Sequence, residues 1–143
     1  MSEITLSFGS NLGDKEANIL KAYKLLEERL GHRLNTSDFY YSTAWGFQSD
    51  NLFVNTCAVF STDKNPFECL KIVNAIEEEL GRVRSGMAGY EDRMIDIDII
   101  FYDDLHLDTE KLKIPHPLWQ VRDFVKIPLS QINKIPKTAD ITI

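Results

Sequence analysis

Cysteine is scarce in this chain, with only Cys57 and Cys69. Two are too few for a disulfide framework or a zinc site, and His32, His106 and His116 share no ligand spacing with them. Both cysteines are read as reduced core residues of a cytoplasmic protein. There is no run of 18 apolar residues, which excludes a membrane-spanning helix. The opening residues, Met1-Ser2-Glu3-Ile4-Thr5-Leu6, lack both a basic region and a long apolar stretch, so no secretory signal is expected. Positive charge is in the minority, with 16 Lys and Arg against 22 Asp and Glu and a net charge of −6. That disfavours a nucleic-acid coat, which needs a basic face. It leaves room for a small anion held by a few placed arginines.

What is present is an ordinary globular composition, 43% hydrophobic and 27% charged, in 143 residues, which fits a single domain over residues 1–143. Ile4–Phe8 reads as a strand ending at the turn cluster Gly9-Ser10-Asn11. In Lys15–Leu30, residues Ile19, Ala22, Tyr23, Leu26 and Leu30 recur at helical spacing, with Asp14 to cap the helix and Gly31 to end it. Leu34–Ser42 and Phe53–Ser61 are rich in aromatic and β-branched residues and read as strands. Pro66–Leu80 is the clearest helix. Asn65 and Glu68 form a capping arrangement, Pro66 takes the first position, and Cys69, Ile72, Val73, Ile76 and Leu80 make a buried stripe. Arg82–Asp92 reads as a loop and Met94–Tyr102 as a strand. Beyond it, Pro115, Pro117, Pro128 and Pro136 are expected to break any long element. The order βαββαβ predicts an α+β, ferredoxin-like core: a mostly antiparallel sheet with two helices on one face and short added C-terminal elements.

Three stretches carry candidate chemistry. In Met94–Phe101 the side chains alternate, so Ile95, Ile97 and Ile99 point one way and Asp96 and Asp98 the other. Two carboxylates on one face repel each other, and a divalent cation removes that cost; magnesium favours one or two carboxylates plus waters and phosphates. The alternative is a solvated polar face. Arg82, Arg84 and Arg93 flank this strand, and guanidinium groups bind phosphate in bidentate fashion. Ile114-Pro115-His116-Pro117 and Arg122-Asp123-Phe124 follow. Arg122 and Phe124, two apart, would face alike if that stretch is extended. Gly9–Gly13 lacks the Gly-Lys-Ser/Thr ending of a P-loop.

The ordered set resembles the 6-hydroxymethyl-7,8-dihydropterin pyrophosphokinase family of folate biosynthesis. It runs through Gly9-Ser10-Asn11-Leu12-Gly13, Phe39-Tyr40 with Ser42, Phe53-Val54-Asn55, Glu77 with Gly81-Arg82-Val83-Arg84, Arg93-Met94-Ile95-Asp96-Ile97-Asp98, Ile114-Pro115-His116 and Arg122-Asp123-Phe124. The resemblance implies transfer of a pyrophosphoryl group from ATP to the pterin hydroxymethyl oxygen, releasing AMP. By the same resemblance Asp96 and Asp98 hold two Mg²⁺ ions, and Arg82 and Arg93 join them as catalytic residues. Glu77, Arg84, Lys111, His116 and Arg122 line the ATP site. Ser42, Trp45, Phe53, Asn55 and Phe124 serve the pterin, with Phe53 and Phe124 as its two walls. Phe53 stands where many members have Tyr, Lys111 where Arg is frequent and Pro117 where Tyr is frequent.

The implied partners are ATP and the pterin alone, with no nucleic acid or membrane, and the implied state is a monomer. Ser85–Arg93, rich in small residues, is expected to act as a lid over the phosphates. A polymerase-β-like nucleotidyltransferase also pairs Gly-Ser with Asp-x-Asp, but places them about a dozen residues apart, whereas Ser10 and Asp96 lie far apart here. An RNA-binding ferredoxin-like module would need a basic surface.

Overall fold

The computed structural model describes residues 1–42, 52–81 and 94–132. Its elements are β1 (Ser2–Ser10), α1 (Lys15–Arg29), β2 (Arg33–Thr36), β3 (Tyr40–Ser42), β4 (Phe53–Thr62), α2 (Pro66–Glu79), β5 (Asp96–Tyr102), β6 (Leu107–Asp108), β7 (Lys113–Ile114) and α3 (Asp123–Ile132). The main sheet runs β2-β4-β1-β5, with β3 also paired to β4, and its pairings are all antiparallel. With α1 and α2 as the two crossovers, this is the ferredoxin-like βαββαβ arrangement expected from the sequence.

The two long helices form where their ends are chemically marked. The Asp14 side chain accepts from Ala17 N–H at 3.2 Å to open α1. The α2 capping box is complete: Asn65 accepts from Glu68 N–H at 2.9 Å, and Glu68 accepts from Asn65 N–H at 3.0 Å. Together the caps satisfy helix-end donors that burial would otherwise strand. Gly31 follows α1 because a Cβ there would fall 1.6 Å from the Ser61 carbonyl oxygen.

Strand alternation gives the sheet two unlike faces. Ile4, Leu6 and Phe8 of β1, Val54, Ala58 and Phe60 of β4, and Ile97 and Ile99 of β5 pack with Ile19, Tyr23, Leu26, Val73 and Ile76 of the helices. Phe8 meets Tyr23 edge to face, with centroids 4.9 Å apart. On the other face Cys57, Val59, Ile100 and Phe101 pack under α3 with Trp119, Val125, Leu129 and Ile132. Both cysteines are buried and free, and burial pushes the Cys57 thiol up to about 12.

Two expectations are corrected. Leu34–Ser42 is not one strand but β2 and β3, with a one-residue bulge between them: Thr36 to Tyr40 is four steps, against three from Ala58 to Asn55. Asp38 N–H turns from the sheet and donates to Gln131 Oε1 of α3 at 2.8 Å. The bulge turns Tyr40 and Ser42 onto the α3 face, where their partners Asn55 and Phe53 lie. The C-terminal part also holds a ten-residue helix, α3, with Pro128 inside it. Proline removes an N–H and costs a helix interior about 3 kcal/mol. Burial of Val125, Leu129 and Ile132 offsets that, at about 1.5–3 kcal/mol for each aliphatic side chain.

Candidate active site

The α3 face changes character along the strands. Beyond the apolar patch under α3, its residues are Ser7 and Gly9 on β1, Asn55 and Phe53 on β4, and Asp98 and Asp96 on β5. Register sets them in rows. Cys57, Ser7 and Asp98 form one row, and Asn55, Gly9 and Asp96 the next. A bulge in β5 sustains this arrangement: Thr5 faces Phe101 and Leu6 faces Ile99, so Ile100 is the extra residue. Ile100 and Phe101 thus both reach the patch under α3, while Asp96 and Asp98 share the open end of the same face.

Asp96 and Asp98 are half-buried between fully enclosed isoleucines, as alternation predicts. Glu77 of α2 is buried, and its Oε2 accepts from Ile97 N–H at 2.9 Å. This bond ties the peptide between the two aspartates to the helix and fixes the pleat that aims them. Arg122 Nη1 lies 4.0 Å from Asp98 Oδ2. Arg122 also stands over the Phe124 ring, 5.6 Å from its centroid. The two therefore meet without the extended backbone that spacing of two would need, because Arg122 immediately precedes a helix.

His116 is fixed from both sides. Its backbone N–H donates to Ile100 O at 3.0 Å, and its Nδ1 accepts from Leu118 N–H at 3.1 Å. In the neutral ring the proton then sits on Nε2. Burial, reinforced by the Arg122 charge and opposed by Asp96, brings its pKa down to about 4. At neutral pH this imidazole is a hydrogen-bond donor at Nε2, not a base.

Glu77, Asp96, Asp98, Lys111, His116 and Arg122 all line one cavity of about 420 Å³. All but Lys111 are buried or half-buried. Its other walls include Leu70 and Asn74 of α2, which the sequence reading passed over. Leu70, Asn74 and Glu77 recur at helical spacing, a stripe beside the core stripe that marks a second contact face. Among the described residues no group of three or more His, Cys, Asp and Glu converges as a metal cage. A pair of carboxylates open to a cavity fits a hard cation that takes its remaining oxygens from water and phosphate.

Asn55 lies in the row of Asp96, across Gly9, and is 4% exposed, with Nδ2 donating to Phe8 O at 3.3 Å and Oδ1 buried without a hydrogen-bond partner. An unmet buried acceptor in a cleft is a place for a ligand donor. Phe53 opens β4 and Phe124 lies in the first turn of α3, both half-buried. Ser42 pairs with Phe53. Trp45, Arg82, Arg84 and Arg93, together with the Ser85–Arg93 stretch expected to act as a lid, lie outside the described residues.

Residues 5–134 match the family profile of 7,8-dihydro-6-hydroxymethylpterin-pyrophosphokinase (HPPK). The chain belongs to the HPPK family. It is 41% identical over 135 residues to the 2-amino-4-hydroxy-6-hydroxymethyldihydropteridine pyrophosphokinase of Porphyromonas gingivalis, covering 92% of this chain and 91% of that one. The Aquifex aeolicus pyrophosphokinase of the same name is 40% identical over 133 residues, covering 93% and 81%. Folic acid synthesis protein FOL1 of Dictyostelium discoideum is 44% identical over 141 residues; these span 97% of this chain but 21% of that protein. Among solved structures, an HPPK-DHPS in complex with substrates superposes with a TM-score of 0.77 at 16% identity. That match covers 96% of this chain and 41% of the other, and at this identity it speaks for the fold alone. The HPPK relatives thus include both proteins of similar length and far longer chains.

Proposed function

We infer that this chain is an ATP-dependent pyrophosphokinase that transfers the β,γ-diphosphoryl unit of ATP to the hydroxymethyl oxygen of 6-hydroxymethyl-7,8-dihydropterin, releasing AMP. The observation that carries the site assignment is the row Asn55–Gly9–Asp96, which sets an amide and a carboxylate on one face beside the cavity. Asp96 and Asp98 would hold two Mg²⁺ ions, which would neutralise phosphate charge at the transferring group.

The chain's own residues do the rest. Arg122 is a fixed cation next to Asp98 and takes a phosphate oxygen. Neutral His116 donates from Nε2 to ATP. Lys111 lies at the cavity rim, and Glu77 holds the floor by its bond to Ile97. Arg82, Arg84 and Arg93 complete the phosphate contacts. Asn55 offers its carbonyl and amide to the pterin edge. Phe53 and Phe124 stack on its ring, and backbone groups near Ser42–Trp45 bond its edge. In this reading residues 1–143 act as one domain, as a cytoplasmic monomer.

The experiment is product analysis after incubation of the protein with Mg-ATP and the hydroxymethyl dihydropterin. Equimolar AMP and pterin diphosphate are expected. ADP or free pyrophosphate as the stoichiometric product from folded protein would overturn the assignment.

A further inference from the structure

Gly9 occupies the centre of the row that carries the site. It pairs with Asn55 on one side and Asp96 on the other. Cross-strand partners share a face, so a side chain here would project between the two. Their Cα atoms are two strand spacings apart, roughly 10 Å. A Cβ built on Gly9 falls 2.8 Å from Asn55 Nδ2, closer than real contacts allow, and 3.8 Å from Asn55 Cγ, an ordinary contact. The backbone does not demand glycine, because the positive-φ glycines of the described residues are Gly13 and Gly81. What demands it is the Asn55 amide, which lies across the strand and donates to the carbonyl of Phe8, the residue before Gly9.

We propose that Gly9 is a positioning residue for pterin recognition: its missing side chain lets the Asn55 amide lie flat on β1 with Oδ1 presented to the ligand. This rests on Asn55 being the residue that bonds the pterin. The clash falls on the far end of one flexible side chain, so Gly9→Ala is relieved by swinging the Asn55 amide aside, not by moving the strand. Glycine is itself the weaker residue in a strand interior. Stability should therefore hold while recognition fails.

The test is a double-mutant cycle on the whole chain with Gly9→Ala, Asn55→Ala and the double variant. Calorimetry reads 6-hydroxymethylpterin binding in the presence of Mg²⁺ and a non-transferable ATP analogue. Each single variant is expected to weaken pterin binding about ten- to a hundredfold, the scale of a lost buried hydrogen bond or two. The double variant should be no weaker than Asn55→Ala alone, because the glycine acts through the amide. Binding of the ATP analogue and the thermal midpoint of Gly9→Ala should stay at the wild-type values. In the free Gly9→Ala protein the side-chain amide resonances of Asn55 should shift.

Losses that add in the double variant overturn the inference, and so does wild-type pterin affinity in Gly9→Ala. A Gly9→Ala chain that does not fold overturns it too, since the clash was then not relieved by Asn55. Wild-type protein that binds no pterin instead brings down the functional reading itself, and this inference with it.

Discussion

The two faces of the sheet are built from the same strands and do opposite work. On the α1 and α2 face, burial is complete from one end to the other, through Leu6, Phe8, Ala58, Phe60, Ile97 and Ile99. On the α3 face the apolar packing of the described residues gathers at one end, on Val59, Cys57, Ile100 and Phe101. Further along the same face come Asn55 on β4, Gly9 on β1 and Asp98 and Asp96 on β5. The period of two lets stability and chemistry alternate residue by residue along β5. Two like charges can be held 36% exposed at Asp98 because their neighbours Ile97 and Ile99 are anchored opposite. The core residues directly behind the site, Ile97 and Ile99, hold the strand that carries both carboxylates.

If the faces are separable, substitutions should sort by parity. Asp96→Ala or Asp98→Ala is expected to lower turnover on the order of 10³-fold, the upper range for removing one preorganised electrostatic group. Thermal stability of Asp96→Ala should be unchanged or higher, since one of two repelling carboxylates is gone, whereas Asp98→Ala also strips the buried Arg122 of its neighbouring carboxylate and should be less stable. Near-normal turnover at saturating Mg-ATP would end the metal-ligand assignment. Leu6→Ala, on the other face of the neighbouring strand, should cost about 2–5 kcal/mol in denaturant unfolding. Per folded molecule its kcat should stay within a fewfold of wild type. A loss of turnover in folded Leu6→Ala as steep as that of the aspartate variants would break the separation.

The sequence carries one face far more plainly than the other. The core strands and both long helices follow local rules of period and capping, so their bounds fall within two residues of expectation at β5, α1 and α2. Asp96 and Asp98 are legible for the same reason, by alternation with Ile95, Ile97 and Ile99. The α3 face depends on contacts distant in sequence. Nothing near Asp38 announces that Gln131 will take its N–H and split the edge strand. Nothing near Pro128 announces that Leu129 and Ile132 will be buried deeply enough to hold a proline-bearing helix. Gly9 reads as a turn glycine until the register sets Asn55 opposite it.

The boundary between the two ends of the α3 face can be sharpened at Phe124. It packs at the edge of the α3 cluster and also faces Arg122. A base-sized ring stacked on an aromatic side chain is worth about 1–3 kcal/mol. Phe124→Ala should then weaken pterin binding about 5- to 150-fold, with a much smaller change for an ATP analogue. Equal losses for both ligands, with a lowered thermal midpoint, would move Phe124 from the pterin wall to the core.

The smallest expected effect is a pH dependence at the hinge between the faces. His116 hangs from β5 through Ile100 O and lines the cavity with Asp96 and Arg122. Its pKa lies near 4 because burial, first, and Arg122, second, disfavour the imidazolium, while Asp96 favours it. The unfolded chain has an ordinary histidine near 6.5. Between these values the unfolded state binds the proton and the folded state does not, so stability rises with pH there. The contribution is fully present above about 6.5 and is lost as pH falls toward 4. His116→Gln removes this group, so its denaturant midpoint should decline less between pH 7 and pH 5 than that of wild type. The imidazole resonances of the free wild-type protein should remain those of a neutral ring at pH 5.5. Parallel declines in the two proteins, with a ring that titrates near 6.5, would mean that His116 is solvated and that the closed end of this face stops short of the cavity.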